Sequence, residues 1–250
     1  MPSIPGFVFS SAPKYPYGPR KIASYYDKLM TQILNYESYY AQGGDWGGAI
    51  STWLGYEHYK NCKGIHLNIM IVRDRNGPQD EAEKAWQKRF KNEQSLEEGY
   101  RTMQATKPQT LAFAMTDNPI GVAAWILEKF HGWSDLRKKS LIEVYGYDDL
   151  ITNLMLYILT NSFNSASWIY FGRREEGGRV INFDGGKVNV PTACALYPKE
   201  LLSWPPKSYV DRLFNVVQWN EYPSGGHFAA LEEPNTLVKD IRSFFSTIRN

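Results

Sequence analysis

The feature that most constrains the fold is a glycine-rich turn between a predicted strand and a predicted helix. Residues 38–42 have the pattern of a short strand, residues 43–48 form the turn GGDWGG, and residues 49–59 have helical apolar spacing. Such a turn could hold a phosphate at the helix N-terminus, but the acidic side chain of Asp45 would repel that ligand. We therefore favour a turn that presents Asp45 itself for chemistry, as a nucleophile elbow does.

A nucleophile elbow needs small residues two positions before and after the nucleophile, because the strained turn leaves no room for side chains there. Gly43 and Gly47 occupy these positions around Asp45. The backbone N–H of the next residue, Trp46, then points at the reacting centre, where it can stabilise an oxyanion. Asp45 is the candidate nucleophile and Trp46 the candidate oxyanion donor.

The apolar pattern around this turn predicts an α/β fold interrupted by helices. We predict an α/β core formed by residues 1–73 and 181–250, with an all-helical insertion at 74–180. The predicted strands after the turn are β-branched and apolar, as in buried parallel sheets, at residues 63–72, 187–196 and 213–219. Helices are expected at residues 22–34, 111–130, 150–160 and 236–248, after a loop at 1–20.

Composition narrows the class of partner. The formal net charge is +2 without a basic stripe, so no nucleic-acid partner is expected. Cys62 and Cys194 are too few for a disulfide framework and lack metal-type spacing, and no cofactor is predicted. No apolar run reaches the roughly 18 residues of a membrane span, and the first residues lack a signal-peptide pattern, so we expect a cytoplasmic protein. The aromatic content of 15% suits a protein that encloses an apolar cavity.

The base that serves an elbow nucleophile is expected on a histidine after the last strand. His227, in Ser-Gly-Gly-His-Phe, is the histidine of the four that fits. His58 is expected on the surface of the helix after the turn, and His66 is expected to pack in the core because its strand is apolar. His131 is expected in the insertion, in a turn or lining a site. His227 is the candidate general base.

The acid that orients this histidine is expected in the loop after the penultimate strand. Two residues qualify by position, Glu200 and Asp211. Glu200 follows the predicted strand directly, whereas Asp211 lies in a charged segment with the pattern of a solvated helix face. We favour Glu200.

An aspartate nucleophile limits the chemistry. A carboxylate with an ordinary pKa of about 4 is ionised at neutral pH, so the histidine is free to activate water in a second step. Attack of the carboxylate on sp³ carbon gives an alkyl ester that water can cleave, which suits epoxides and alkyl halides. Attack on an ordinary ester would give a mixed anhydride instead. Asp45 thus favours a hydrolase for epoxides or alkyl halides over an esterase.

Five stretches spread over nearly the whole chain match one known family: GGDWG at 43–47, QATKPQT at 104–110, TDNPIG at 116–121, AWILEKF at 124–130 and GGHFAA at 225–230. With them the chain resembles the epoxide hydrolases of the microsomal type, which have an α/β-hydrolase core, a mostly parallel sheet and an inserted α-helical cap. The resemblance implies that Asp45 is the nucleophile, His227 the general base and Glu200 its acid. It also implies a small apolar epoxide as the substrate and a vicinal diol as the product.

The family also has two cap tyrosines that donate hydrogen bonds to the epoxide oxygen. By resemblance these are Tyr100, before the QATKPQT stretch, and Tyr170, late in the insertion. The chemistry needs such donors because ring opening leaves an alkoxide. A phenol with an ordinary pKa of about 10 can protonate it while staying neutral at pH 7.

The chain departs from the family pattern at its beginning. Full-length relatives carry a His-Gly-x-Pro loop that supplies a second oxyanion N–H, and this sequence has no such motif. Residues 3–7 resemble the segment that follows the next strand in relatives, and Val8 replaces a common glycine. We therefore expect the N-terminal strands to be missing, with a bare sheet edge and possible self-association.

Two other functions stay open at this point. A haloalkane dehalogenase shares the Asp-Trp elbow, but it needs a halide-binding pair, and one usual member lies in the part expected to be missing. A truncated homologue without catalysis could act only as a binding protein. The two cap tyrosines favour the epoxide.

Overall fold

Four apolar segments form one parallel sheet in the computed structural model, which describes residues 2–178 and 180–249. The strands lie side by side in chain order: β1 (Tyr39–Gly43), β2 (Cys62–Leu67), β3 (Val188–Leu196) and β4 (Phe214–Glu221). Parallel neighbours need crossover connections, which are helical here. The predicted α/β class and parallel sheet are confirmed.

Neighbouring side chains of β2 pack against helices on opposite faces of the sheet, since side chains alternate along a strand. Ile65 points to α2 (Asp45–Glu57): a Cβ atom added at Gly55 would lie 3.1 Å from a methyl group of Ile65. His66 Nε2 lies 2.9 Å from Asp240 Oδ2 in α11 (Pro234–Ile248). Both faces of the sheet are therefore covered, as parallel sheets require.

The remaining helices fall into two groups. On the α2 side lies α1 (Pro19–Lys28), which continues into a π-helical turn, Leu29–Ile33. Between β2 and β3 come six helices: α3 (Glu81–Leu96), α4 (Glu98–Thr106), α5 (Pro108–Met115), α6 (Pro119–Trp133), α7 (Leu141–Leu159) and α8 (Phe163–Glu175). Two short helices, α9 (Lys207–Asp211) and α10 (Ala229–Glu232), flank β4. The limits of the insertion at 74 and 180 stay a prediction.

One arginine ties the first inserted helix to the core. Arg212, after α9, donates to Asp74 Oδ2 at 2.7 Å and to Glu83 Oε1 at 2.8 Å. Glu83 lies in the first turn of α3 and is fully buried. We refer to Asp74, Glu83 and Arg212 as the α3 clamp.

Several predicted elements have different bounds; the helix predicted at 150–160, for example, begins at Leu141. The strand predicted at 63–72 ends at Leu67, although Ile69, Met70 and Val72 remain buried. The helix predicted at 111–130 is broken into α5 and α6, because Pro119 restricts the residue before it. Asn118 caps α6 by accepting the N–H of Gly121 at 2.8 Å.

The sheet has β1 at one edge, with β2 as its neighbour in the described part of the chain. A cleft of about 880 Å³ lies beside this strand. Its walls include the apolar side chains of Met30, Leu34 and Leu237. We refer to this feature as the edge cleft. Within residues 2–178 and 180–249, no helix has the length and apolar character needed to cross a membrane.

Candidate active site

Asp45 lies where β1 turns into α2. It is the first residue of the helix, and its φ of +44° is in the left-handed region. That region costs an ordinary L-residue roughly 1–2 kcal/mol, and such strain is kept mainly at functional sites. The side chain is thereby held at the carboxyl end of the sheet.

Glycine is required sterically at some positions of the turn but not at every position expected from the sequence. A side chain at Gly43 would overlap the carbonyl group of Gly47, and one at Gly48 would come within 2.6 Å of the Ile69 side chain. A side chain at Gly47 would meet no atom within 4 Å. The expectation for Gly47 was therefore wrong in its reason: the turn is closed by its backbone, which approaches Gly43.

Three candidate residues meet at the ends of the strands. His227 Nδ1 lies 2.6 Å from Glu200 Oε1, and His227 Nε2 lies 4.0 Å from Asp45 Oδ2. Glu200 follows β3 by four residues, and its Oε1 also accepts the N–H of Leu201 at 2.8 Å. The histidine and glutamate side chains are buried at 3% and 1% exposure. One imidazole nitrogen of His227 thus contacts the buried carboxylate of Glu200, and the other nitrogen faces Asp45.

Asp45 is surrounded by protein, yet 53% of its side chain remains open, toward a cavity that it lines. Burial raises the pKa of this carboxyl, while the charge of His227 and the backbone N–H of Trp46 lower it. An ester oxyanion would develop at this carboxylate, so the Trp46 N–H, which favours negative charge there, stays the candidate oxyanion donor.

The pKa of His227 reflects the same arrangement. Burial alone would lower it, but the carboxylates of Glu200 and Asp45 outweigh burial and raise it to about 9. With Asp45 charged, a pKa of about 9 keeps this imidazole protonated at pH 7. Loss of the charge on Asp45 would remove one of the causes that raise this pKa.

Tyr100 on α4 and Tyr170 on α8 line the cavity side by side, in edge-to-face contact. Their ring centroids are 5.9 Å apart, and Tyr170 also lies 4.8 Å from the Trp46 ring. Burial, together with the negative charge of Asp45, raises the pKa of both phenols well above the ordinary value. Both side chains are neutral hydrogen-bond donors at pH 7.

The other candidates lie elsewhere. Asp211 is exposed and pairs with Lys207 at 2.8 Å on α9. His66 is paired with Asp240 in the core, His58 lies 3.3 Å from Asp27, and His131 is exposed. Among the described residues no group of three His, Cys, Asp or Glu side chains is arranged to hold a metal ion.

Trp133 is a site residue that the sequence analysis missed. Its carbonyl oxygen accepts the backbone N–H of His227 at 2.9 Å, and its ring packs edge-on against the imidazole at 5.1 Å. The Trp133 ring also lies 5.3 Å from the Tyr100 ring, so Trp133 connects α4 of the insertion to His227. The sequence analysis considered only the neighbouring His131, because Trp133 has the ordinary pattern of a buried helix residue.

Comparison with known proteins agrees with this architecture. Residues 1–116 match a family model described as the alpha/beta hydrolase fold. The crystal structure of juvenile hormone epoxide hydrolase from the silkworm Bombyx mori superposes with a TM-score of 0.84 at 28% identity, over 99% of this chain and 63% of that one.

Curated relatives match over almost the whole chain. Identity is 34% to juvenile hormone epoxide hydrolase 1 of Ctenocephalides felis, over 96% of this chain and 56% of that protein. It is 33% to epoxide hydrolase 1 of Sus scrofa, over 99% of this chain and 59% of that protein. The chain thus spans less than two thirds of the length of these relatives. The chain thus has the α/β-hydrolase fold, and these relatives, which it matches over almost its whole length, are epoxide hydrolases.

Proposed function

We propose that this chain hydrolyses epoxides to vicinal diols through a covalent ester on Asp45. The observation that carries the proposal is that Asp45 lines one cavity with two neutral phenols and lies 4.0 Å from the imidazole of a histidine–glutamate pair. Homologues named epoxide hydrolases support it. Helices α3 to α8 would act as the cap that carries the phenols.

In the first step an oxygen of Asp45 attacks an epoxide carbon, and the bond from that carbon to the ring oxygen breaks. Tyr100 and Tyr170 donate hydrogen bonds to the departing oxygen, and one of them supplies the proton. The apolar wall of the cavity, which includes Ile69, Ile71 and Ile181, suits a hydrocarbon substituent. The product of this step is an alkyl ester and a tyrosinate.

The second step uses His227. Esterification removes the charge of Asp45, so the pKa of the histidine falls and its proton can pass to the tyrosinate. Neutral His227 then takes a proton from water, and the hydroxide attacks the ester carbonyl carbon, while the Trp46 N–H stabilises the oxyanion. Collapse breaks the ester bond and leaves Asp45 as a carboxylic acid, while the proton on His227 goes to the leaving alkoxide. The proton of the Asp45 carboxyl then passes to His227, which restores the starting state, and the sum is epoxide plus water to diol.

The test is to trap the ester. His227→Gln should form the ester from styrene oxide and hydrolyse it slowly, so the intact mass should increase by one substrate mass on the Asp45 peptide. Asp45→Asn should show no adduct and no diol, because the amide is nearly isosteric but a poor nucleophile.

Other outcomes select the other candidates. Halide release from 1-bromobutane without diol formation from styrene oxide would select the dehalogenase. A folded chain with neither an adduct nor turnover of either substrate would leave a binding protein.

A further inference from the structure

The cavity contains a positive charge that the proposed chemistry does not use. Arg173, in the last turn of α8, lines the same cavity as Asp45 and is only 5% exposed. In the described part of the chain its guanidinium has no hydrogen bond and no ion pair. Buried arginines are normally paired, because an unpaired charge in a protein interior is costly.

A second arginine lies beside it. Arg101, next to Tyr100 on α4, also lines the cavity. Its Nη2 donates to Glu98 Oε1 at 2.6 Å, but its Nε is buried without a hydrogen-bond acceptor among the described residues. Burial, reinforced by the positive charge of Arg101, lowers the pKa of Arg173 to about 10. Both arginines are charged at pH 7, and Glu98 pairs with Arg101 but not with Arg173.

The nearby carboxylates do not neutralise Arg173. Glu97 lines the cavity, but it pairs with Lys129 at 2.9 Å. Glu176 attracts Arg173 at longer range, while its oxygens accept the backbone N–H groups of Arg20 and Lys21 at 2.9 Å each. The missing partner of Arg173 must come from outside the described residues.

The positions of the two arginines relate this charge to the reaction. Arg173 follows Tyr170 by three residues on α8, so both lie on one helix face about 4.5 Å apart along the axis. Arg101 adjoins Tyr100 on α4, which packs against α8. A ligand whose ring oxygen meets the phenols would therefore place a remote group near the guanidinium groups.

We propose that Arg173, assisted by Arg101, binds a carboxylate carried by the epoxide, so that the preferred substrates are epoxides with an acid group remote from the ring. A carboxylate matches the planar fork of a guanidinium and can accept two hydrogen bonds from it. The rest of the wall is largely apolar and suits the carbon chain between the two ends. This inference rests on the proposed function.

The kinetic test compares ω-epoxy carboxylates with two to six methylene groups against their primary amides. For the best chain length, kcat/KM of the carboxylate should exceed that of the amide by about tenfold or more, mainly through KM, because the acid group is remote from the reacting bond. Arg173→Met should abolish this preference but still hydrolyse styrene oxide. Arg174→Met, a neighbouring exposed arginine, should keep it. A preference that is absent, or unchanged in Arg173→Met, overturns the proposal.

A binding test separates this inference from the proposed function. Calorimetry with nonanoate and nonanamide needs neither turnover nor a variant. Nonanoate should bind about tenfold or more tightly, even if no epoxide is hydrolysed. Equal binding of the two ligands overturns the carboxylate subsite. Arg173→Met should also raise the melting temperature of the free protein, because an unpaired buried charge is removed.

Discussion

At the scale of single residues, the two phenols would share one task in the proposed reaction. Each is a neutral donor close to Asp45, so either phenol would partly replace the other as donor to the epoxide oxygen. Tyr100→Phe or Tyr170→Phe alone should slow alkylation by about tenfold, and the double variant by about 10²–10⁴-fold, the usual contribution of a proton donor. Single-turnover stopped-flow fluorescence, with Trp46 beside the site, measures this step.

Tyr147→Phe is the matched control for these variants. Tyr147 lies on α7 and is 67% exposed, and removal of its hydroxyl should leave the alkylation rate unchanged. Equal rates for the double variant and the unchanged protein would remove Tyr100 and Tyr170 from the mechanism.

The charge of Asp45 should affect the pKa of His227. The pKa of His227 is raised to about 9 partly by this charge, so Asp45→Asn should lower that pKa by about one unit. Imidazole NMR titration, with His227→Gln to assign the signal, measures the value. Asp211→Asn, at an exposed site, should leave it unchanged. The same pKa in both aspartate variants would mean that the two groups do not interact.

At the scale of elements, the α3 clamp holds the insertion on the core. Arg212→Met leaves Glu83 buried without its cation, which should lower the free energy of unfolding by roughly 3 kcal/mol in urea titrations. The matched control is Lys207→Met, which removes an exposed pair and should cost less than about 1 kcal/mol. A loss no larger than that of the control would show that the clamp contributes little.

The clamp also has a defined dependence on pH. Hydrogen bonds from Arg212 lower the pKa of Glu83 to about 2, against burial that would raise it. A carboxyl with a lowered pKa stabilises the fold above its ordinary pKa, and that stabilisation is lost as the pH falls toward 2. The difference between Arg212→Met and the unchanged protein should therefore shrink between about pH 4.5 and pH 2.

The sequence predicted the elements better than their ends. Residues 69–72 were assigned to a strand because they are apolar, and they are indeed mostly buried, but burial does not specify conformation. The break between α5 and α6 could have been predicted from Pro119, since proline disfavours helix in the residue before it. Asp45, His227 and Glu200 could be proposed because each follows a strand. Arg173 could not, because arginine is usually exposed and only the packing of the insertion buries it.

Val8 has a backbone strain that the sequence did not indicate. The resemblance implied a glycine at this position, and the φ of Val8 is +47°, a value rare for a β-branched residue. The substitution was visible in the sequence, but the strain became visible only in the backbone.

At the scale of the whole molecule, the edge of β1 and the edge cleft are the surfaces most prone to association. Unpaired strand groups next to exposed apolar side chains favour contact between copies. We expect the 250-residue chain to self-associate. Leu34 lines the edge cleft and is 51% exposed, so Leu34→Glu should reduce this association. Multi-angle light scattering gives the mass.

The control for association places the same change elsewhere. Leu159→Glu, at the end of α7, alters a side chain that is 76% exposed and outside the cleft, and it should not change the mass. A monomer at every concentration of the unchanged protein would contradict the expectation.

The close approach of Gly43 to Gly47 also decides which parts of the site can move. Because no space separates the end of β1 from the first turn of α2, the strand and the helix cannot slide past each other, and Asp45 is as stationary as the sheet. In the proposed reaction, a motion of α4 and α8, which carry the phenols and the arginines, would then change the position of the hydrogen-bond donors while Asp45 stays in place. Substitutions in these two helices would alter the range of substrates without displacing the attacking carboxylate.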